Sequence, residues 1–338
     1  MSRRARALLA SIAAVLLAGA CSSEPNGPTP PTTTSTTGVT SGATTPPETT
    51  TPTPEGTPTH DSARVLDVGG YPNGLAFVGD DMWYADPAAS EVFRIDPATG
   101  EVLQRVKAGR SSFLLSYAFG SLWVTNHLDG EVARIDPATG EVTARVKVGS
   151  TSASLVPAGD GMWASAGNGD VVRIDPATNE VVQTIHIAGD LQGMAVAFGS
   201  LWATIFEDSH VLRFDLKTGK ALRPLALGDG AGGLAVADGR LWGAASTDTT
   251  LHALWPADKR AKIDLGIGSA PFLLTTIGDR LFAGDRFASR VLEIDPAAET
   301  AVAVHEVPSP VIAIAAGAGG TWVTCGDAGS IALLGPGA

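Results

Sequence analysis

Cysteine is almost absent: the 338 residues hold two, Cys21 and Cys325. A disulfide framework is thereby excluded, and stability has to come from burial. Basic residues are scarce too, 23 against 35 acids, for a formal charge of −12. A surface of that sign repels phosphate backbones, so nucleic acid is excluded as a partner. The one long apolar run, Ala7 to Ala18, falls short of a membrane span. Spaced Cys/His ligand pairs and a Gly-x-Ser-x-Gly elbow are missing, which removes zinc-ribbon and α/β-hydrolase readings. Gly228-Asp229-Gly230-Ala231-Gly232-Gly233 has dinucleotide spacing, but no helix follows it to receive a pyrophosphate.

Against these absences stands one strong periodicity. Trp83, Trp123, Trp163, Trp202, Trp242, Phe282 and Trp322 follow one another at gaps of 40, 40, 39, 40, 40 and 40 residues. Four short strands per unit at that spacing make a β-propeller blade, so the chain is predicted to be all-β with seven blades, numbered here by their aromatics. Blade two shows every part. Leu122 to Asn126 is the second strand, Glu131 to Ile135 the third, Asp136-Pro137-Ala138-Thr139-Gly140 a turn, and Glu141 to Val148 the fourth. In that turn Asp accepts from amides ahead of it, Pro presets φ, and Gly supplies the positive φ, with Asn179 as its substitute in blade three. Because the aromatic recurs in every blade, it is expected to pack sheets together rather than stack a ligand. Blade seven runs out before a fourth strand, whereas Ala63 to Gly69 repeats the pattern of Ala144 to Gly149. The N-terminal strand is therefore expected to close the ring as the outer strand of the last blade.

The run Trp123-Val124-Thr125-Asn126 with Gly130-Glu131-Val132, Ile135-Asp136 and Thr139-Gly140-Glu141-Val142 closely resembles the YVTN-type β-propeller repeat, with Trp for Tyr. The resemblance covers residues 63–338, and the blades are also similar to streptogramin-lyase-like propellers. It implies a fold rather than an activity. The repeated Asp-x-x-Thr-Gly resembles quinoprotein blades as well, but Gln104 stands where that family has a docking Trp.

At the other end, Arg3, Arg4 and Arg6 precede the apolar run, as in a secretion signal. Leu17-Ala18-Gly19-Ala20-Cys21 resembles the lipobox of bacterial lipoproteins, which implies cleavage after residue 20 and acylation of Cys21. The expected organisation is a signal peptide at 1–20, a Thr/Pro-rich disordered linker at 21–60 carrying the lipidated Cys21, and the propeller at 61–338. The expected location is the extracytoplasmic side of the cell membrane. Loss of three arginines with the signal leaves a mature formal charge of −15.

Innermost strands such as Gly74-Leu75-Ala76-Phe77 carry no charge, so chemistry has to come from loops. The propeller resemblance implies that second-to-third-strand loops and inter-blade connections share one ligand-binding face. Each of those loops has an aspartate: Asp86, Asp129, Asp170, Asp208, Asp248, Asp285 and Asp327. Seven carboxylates on one rim would attract Mg²⁺ or Ca²⁺, hard ions that take oxygen ligands, although aspartate is equally a turn former. His127 lies beside Asp129, and His210 beside Glu207 and Asp208, in positions open to a general base or to plain solvation. Arg110, Phe113, Phe272 and Arg286 add guanidinium and aromatic groups suited to a planar or anionic ligand. The candidate face is therefore Arg110, Phe113, His127, Asp129, Glu207, Asp208, His210, Asp248, Phe272, Asp285 and Arg286. His186, His252 and His305 fall within strands and read as structural. No catalytic set and no cofactor is predicted. The expected function is a non-catalytic binding scaffold for a protein, glycan or small molecule, tethered to the membrane by lipid. The alternative is a metal-dependent lyase resembling streptogramin lyase, against which stands Asn126 in place of the Glu that often follows the aromatic-Phe-Thr there.

Overall fold

The computed structural model describes residues 57–335 except 168, 188, 190, 207, 248, 249, 255–259, 265–269 and 286, and the backbone alone of 260–264. The expected signal peptide, the lipobox with Cys21 and nearly all of the linker lie outside the described residues. The propeller itself is built from seven sheets whose consecutive strands pair antiparallel, and no helix occurs among the described residues.

Each sheet runs from an inner strand near the central axis to an outer edge. The inner strands are Leu75–Val78, Ser112–Ala118, Leu155–Ala158, Leu191–Ala197, Ala231–Ala237, Pro271–Ile277 and Ala313–Gly317. They crowd one another: a Cβ on Gly74 would lie 2.5 Å from the Leu115 amide nitrogen, and one on Gly233 2.7 Å from that of Leu274. Glycine at these positions is a packing requirement.

The periodic aromatic sits on the second strand of every blade and is buried throughout, from 0% exposure at Trp83 to 5% at Phe282. Each one packs on the next blade. Trp83 lies against Leu122, Val124 and Ile135 of blade two, Trp123 against Met162 and Ile174 of blade three, and Trp202 against Leu241 and Leu254 of blade five. The circle closes where Trp322 of blade seven meets Met82, Tyr84 and Ile95 of blade one. Four of the indoles donate to a carbonyl of their own first turn, as Trp123 Nε1 does to Ala118 O at 3.1 Å.

The turns between third and fourth strands behave as their residues predict. Asp96 Oδ1 accepts the Ala98 amide at 2.7 Å and Asp136 Oδ1 that of Ala138 at 2.8 Å. Gly100, Gly140, Asn179 and Gly219 take positive φ, and in blade six Glu299 does so at 58°. These turns also receive the preceding blade. Arg64 Nη1 donates to Pro97 O at 3.0 Å, Gln104 Nε2 to Thr139 O at 2.7 Å, Arg134 Nη1 to Pro176 O at 2.6 Å, Gln183 Nε2 to Leu216 O at 3.0 Å, and Arg240 Nη2 to Pro296 O. Gln104 thus makes a blade-to-blade hydrogen bond in place of a docking Trp.

Ring closure follows the expected route: Arg64–Asp67 pairs antiparallel with Ser330–Leu333 as the fourth strand of blade seven. One feature departs from expectation. Composition extends the linker to residue 60, whereas Thr59–Asp61 already forms a strand, parallel to Thr300–Glu306, that makes blade six five-stranded. There the His60 and His305 rings lie 5.7 Å apart, and His305 Nε2 is 3.1 Å from Glu293 Oε2. The N-terminal segment therefore ties two blades together.

Deleting residues 61–70 should lower the whole thermal transition as one unit, because the edge of blade seven and the Arg64 latch vanish together. An unchanged calorimetric melting temperature would contradict the closure. Trp123→Ala should cost about 3–5 kcal/mol in denaturant unfolding, as large buried-to-Ala changes do.

Candidate functional site

Antiparallel pairing brings each second-to-third-strand loop to the same side of the ring as the segment entering its blade. The residue ending the second strand pins the two together. In blade one Asp86, 4% exposed, accepts the amides of Tyr71, Ala88 and Ala89 at 3.0, 2.8 and 3.0 Å. Asp285 of blade six, 3% exposed, accepts those of Phe287 and Ala288 at 2.9 Å each and of Ala270 at 3.2 Å, with Arg290 Nε at 3.2 Å. Asn126 does the same in blade two: its Nδ2 donates to Ala108 O at 2.8 Å and its Oδ1 accepts from Ser112 Oγ at 3.0 Å. The loop aspartates are thus not equivalent in space. Asp86 and Asp285 end second strands, Asp129 and Asp208 stand within loops, and Asp170 opens a third strand, Asp170–Asp175.

Blade two carries the densest polar cluster. Arg110 donates to Asp129 through its backbone amide at 2.7 Å and its Nε at 2.5 Å, and Nη2 reaches Leu128 O at 3.0 Å. The Arg110 amide first, and then its guanidinium, hold the Asp129 carboxyl below the usual range. Lys147 Nζ donates to Asp129 O, and Arg145 Nη1 pairs with Glu131 at 2.6 Å. Sequence reasoning did not select Leu128, Arg145 or Lys147; the last two are strand residues whose reach to this loop depends on the pairing of Val142–Lys147 with Glu131–Ile135.

Phe113 and His127 meet at 6.0 Å between ring centroids, and Phe113 is buried. Burial lowers the His127 pKa, a bond to the Ser152 backbone opposes this, and Nδ1 is buried with no partner among the described residues. In blade four, His210 Nδ1 stands 2.9 Å from Asp208 Oδ1. Phe272, from blade six, reaches over Gly232 of blade five and meets Phe206 of blade four edge-on at 6.4 Å. Phe206 was missed because its aromatic ring breaks the repeat at a loop position no motif marks. Glu207, Asp248 and Arg286 lie outside the described residues. The structure thus joins Arg110 with Asp129, Phe113 with His127, and Asp208 with His210; these pairs belong to blades two and four, which blade three separates. No group of three or more His, Cys, Asp or Glu side chains placed to hold a metal occurs among the described residues.

Fold and loops together define a seven-bladed β-propeller of repeat type whose one rim is built of pinned, individually varied loops. The sequence model of the family described as PQQ_2, outer membrane protein assembly factor BamB, matches residues 128–312, more than half of the chain. The chain belongs to that family. Among solved structures it is similar to virginiamycin B lyase from Staphylococcus aureus, at 14% identity and a TM-score of 0.66 over 81% of this chain and 98% of the lyase. A streptogramin B lyase gives 14% and 0.66 over 81% and 96%. A catalytically inactive variant of the S. aureus enzyme with quinupristin gives 12% and 0.67 over 81% and 99%. At such identities the likeness is one of fold. No curated protein matches in sequence.

His127 and His305 are both held below the ordinary histidine value, chiefly by burial. The unfolded chain takes up these protons near pH 6.5 while the folded one does not, so this stability is present above about pH 6.5 and lost as the pH falls. Thermal midpoints should drop between pH 7.5 and 5.5, and His127→Gln should shrink that drop. An identical slope in the variant would show that His127 does not contribute.

Proposed function

We propose that this protein is an extracytoplasmic lipoprotein, anchored through Cys21, whose propeller is a non-catalytic binding scaffold for a partner at the cell surface. Membership in a family described as an outer membrane protein assembly factor supports an envelope setting. The observation that carries the scaffold reading is how the loop polar groups are used. Asp86 spends its hydrogen bonds on backbone amides, Asn126 and Asp285 divide theirs between backbone and the neighbouring Ser112 and Arg290 side chains, and Asp129 spends its own on Arg110. What faces outward in blade two is the stem of Arg110, 71% exposed at its side chain, and Leu128, 48% exposed. An apolar side chain beside a guanidinium suits recognition of a protein surface.

In cells expressing the full chain, Cys21→Ala should move the protein from the membrane to the soluble extracytoplasmic fraction; continued membrane retention would reject the anchor. A photo-cross-linking residue at Leu128 should give a discrete adduct, while one at Leu103, equally exposed on the outer edge of blade one, should not. Equal yields at both positions would reject this face.

The lyase reading draws on the similarity in fold to the two lyases. It is separated from the scaffold reading by incubating the full chain with quinupristin and Mg²⁺ and following the compound by mass spectrometry. Consumption above the buffer rate would replace the scaffold reading.

A further inference from the structure

The face opposite those loops, where first-to-second and third-to-fourth turns emerge, carries a cleft between blades three and four. In blades one to four an arginine on the third strand pairs in register with the tryptophan of the second: Trp83 with Arg94, Trp123 with Arg134, Trp163 with Arg173, and Trp202 with Arg213. In blades two and four it lies over the indole, at 5.0 and 4.8 Å, while its Nε donates to a serine, Ser121 or Ser200. From there Arg134 reaches the Pro176 carbonyl and closes the seam to blade three. Blade five reaches the same end from another strand, with Arg240 at 4.9 Å over Trp242 and bonded to Pro296 O.

Between blades three and four this arrangement fails. The serine position is Gly161, and a Cβ there would lie 2.8 Å from Arg173 Nε. Arg173 turns instead to Asp160, at 2.6 Å, whose side chain is 85% exposed. In the facing turn of blade four, Leu216-Lys217 stands where five other blades have Pro-Ala. The Leu216 carbonyl is taken by Gln183. What remains is a cleft of about 310 Å³ with Trp163 at its base, Ala158 and Leu216 on its walls, and Arg173, Lys217 and Asp160 at its mouth. Leu216 and Lys217 thus line this cavity from blade four, while Gly161 leaves room beside it for Arg173 of blade three.

We propose that this cleft binds a carboxylate carried on a compact apolar group. Trp163 and Leu216 provide an apolar slot of the size small ligands fill. Arg173 offers a planar fork for a carboxylate, and Lys217 a second positive charge. Asp160 is the internal stand-in that the ligand's carboxylate displaces. The same group is presented by a free arylalkyl acid and by a peptide chain ending in an apolar residue.

The test is titration of the full chain with 3-phenylpropionate, following the Trp163 indole N–H by NMR, with that signal assigned from the Trp163→Phe spectrum. The acid should shift it and 3-phenylpropionamide should not. Lys217→Ala and Arg173→Gln should each weaken binding about three- to tenfold, and Asp160→Asn should strengthen it about two- to fivefold by removing the competing carboxylate. The Gly161→Ser, Lys217→Ala double variant installs the serine of blades two and four and the alanine of the other turns, so it should keep the melting temperature and lose the shift. A tripeptide acid ending in phenylalanine that binds more tightly than 3-phenylpropionate assigns the site to chain termini, and one that binds more weakly assigns it to small acids. Equal shifts from acid and amide, no shift with the acid, or full binding by the folded double variant would overturn the proposal.

Discussion

The periodic aromatic of each blade is covered by the sheet that follows it, so no blade can bury that side chain alone. Trp83 needs blade two, Trp123 needs blade three, and Trp322 needs blade one. Burying an indole is among the largest single gains available to a chain, and here the gain exists only between sheets. The consequence is a closed circle in which every interface supports the next, and in which a missing edge exposes two sheets. This is why the N-terminal strand pairs with the last blade instead of trailing as part of the linker.

Polar groups on both faces serve the same packing. On one side Asp86, Asn126 and Asp285 bind the segment entering a blade to the loop leaving its second strand. On the other, arginine and glutamine side chains hold the turn of the neighbouring blade by its carbonyls. The Asp-Pro-Ala-Thr-Gly turn therefore has two functions: its aspartate shapes it from within, and its carbonyls receive the previous sheet. Once these demands are met, the residues left to recognise anything are those that depart from the pattern. Leu128 and Phe206 do so on the loop face, and Gly161, Leu216 and Lys217 on the turn face.

Much of the fold was legible because its devices are local or periodic. The forty-residue interval, the turn residues and the match of Ala63–Gly69 to an outer strand all lie on the surface of the sequence, and each names its own geometry. The fifth strand of blade six was not legible, because Thr59-His60-Asp61 is polar and short, and its parallel partner is 245 residues away. The candidate site was legible only in part. Arg110 with Asp129 and Asp208 with His210 are close in space, but the sequence aligned Asp86, Asp129 and Asp285 as if alike. In the folded protein two of these end strands as buried caps, while the third is held by an arginine at the rim.

Sequence by itself determined the number of blades, the turn chemistry and the place of closure, since spacing and φ preferences act over a few residues and repeat. Tertiary structure alone decided which carboxylates are consumed by backbone amides, which side chains bridge one blade to the next, and where the seam stays open. Those outcomes depend on contacts between residues of adjacent sheets, some 40 positions apart in the chain, whose meeting is set by the packing of one sheet on another rather than by any local pattern.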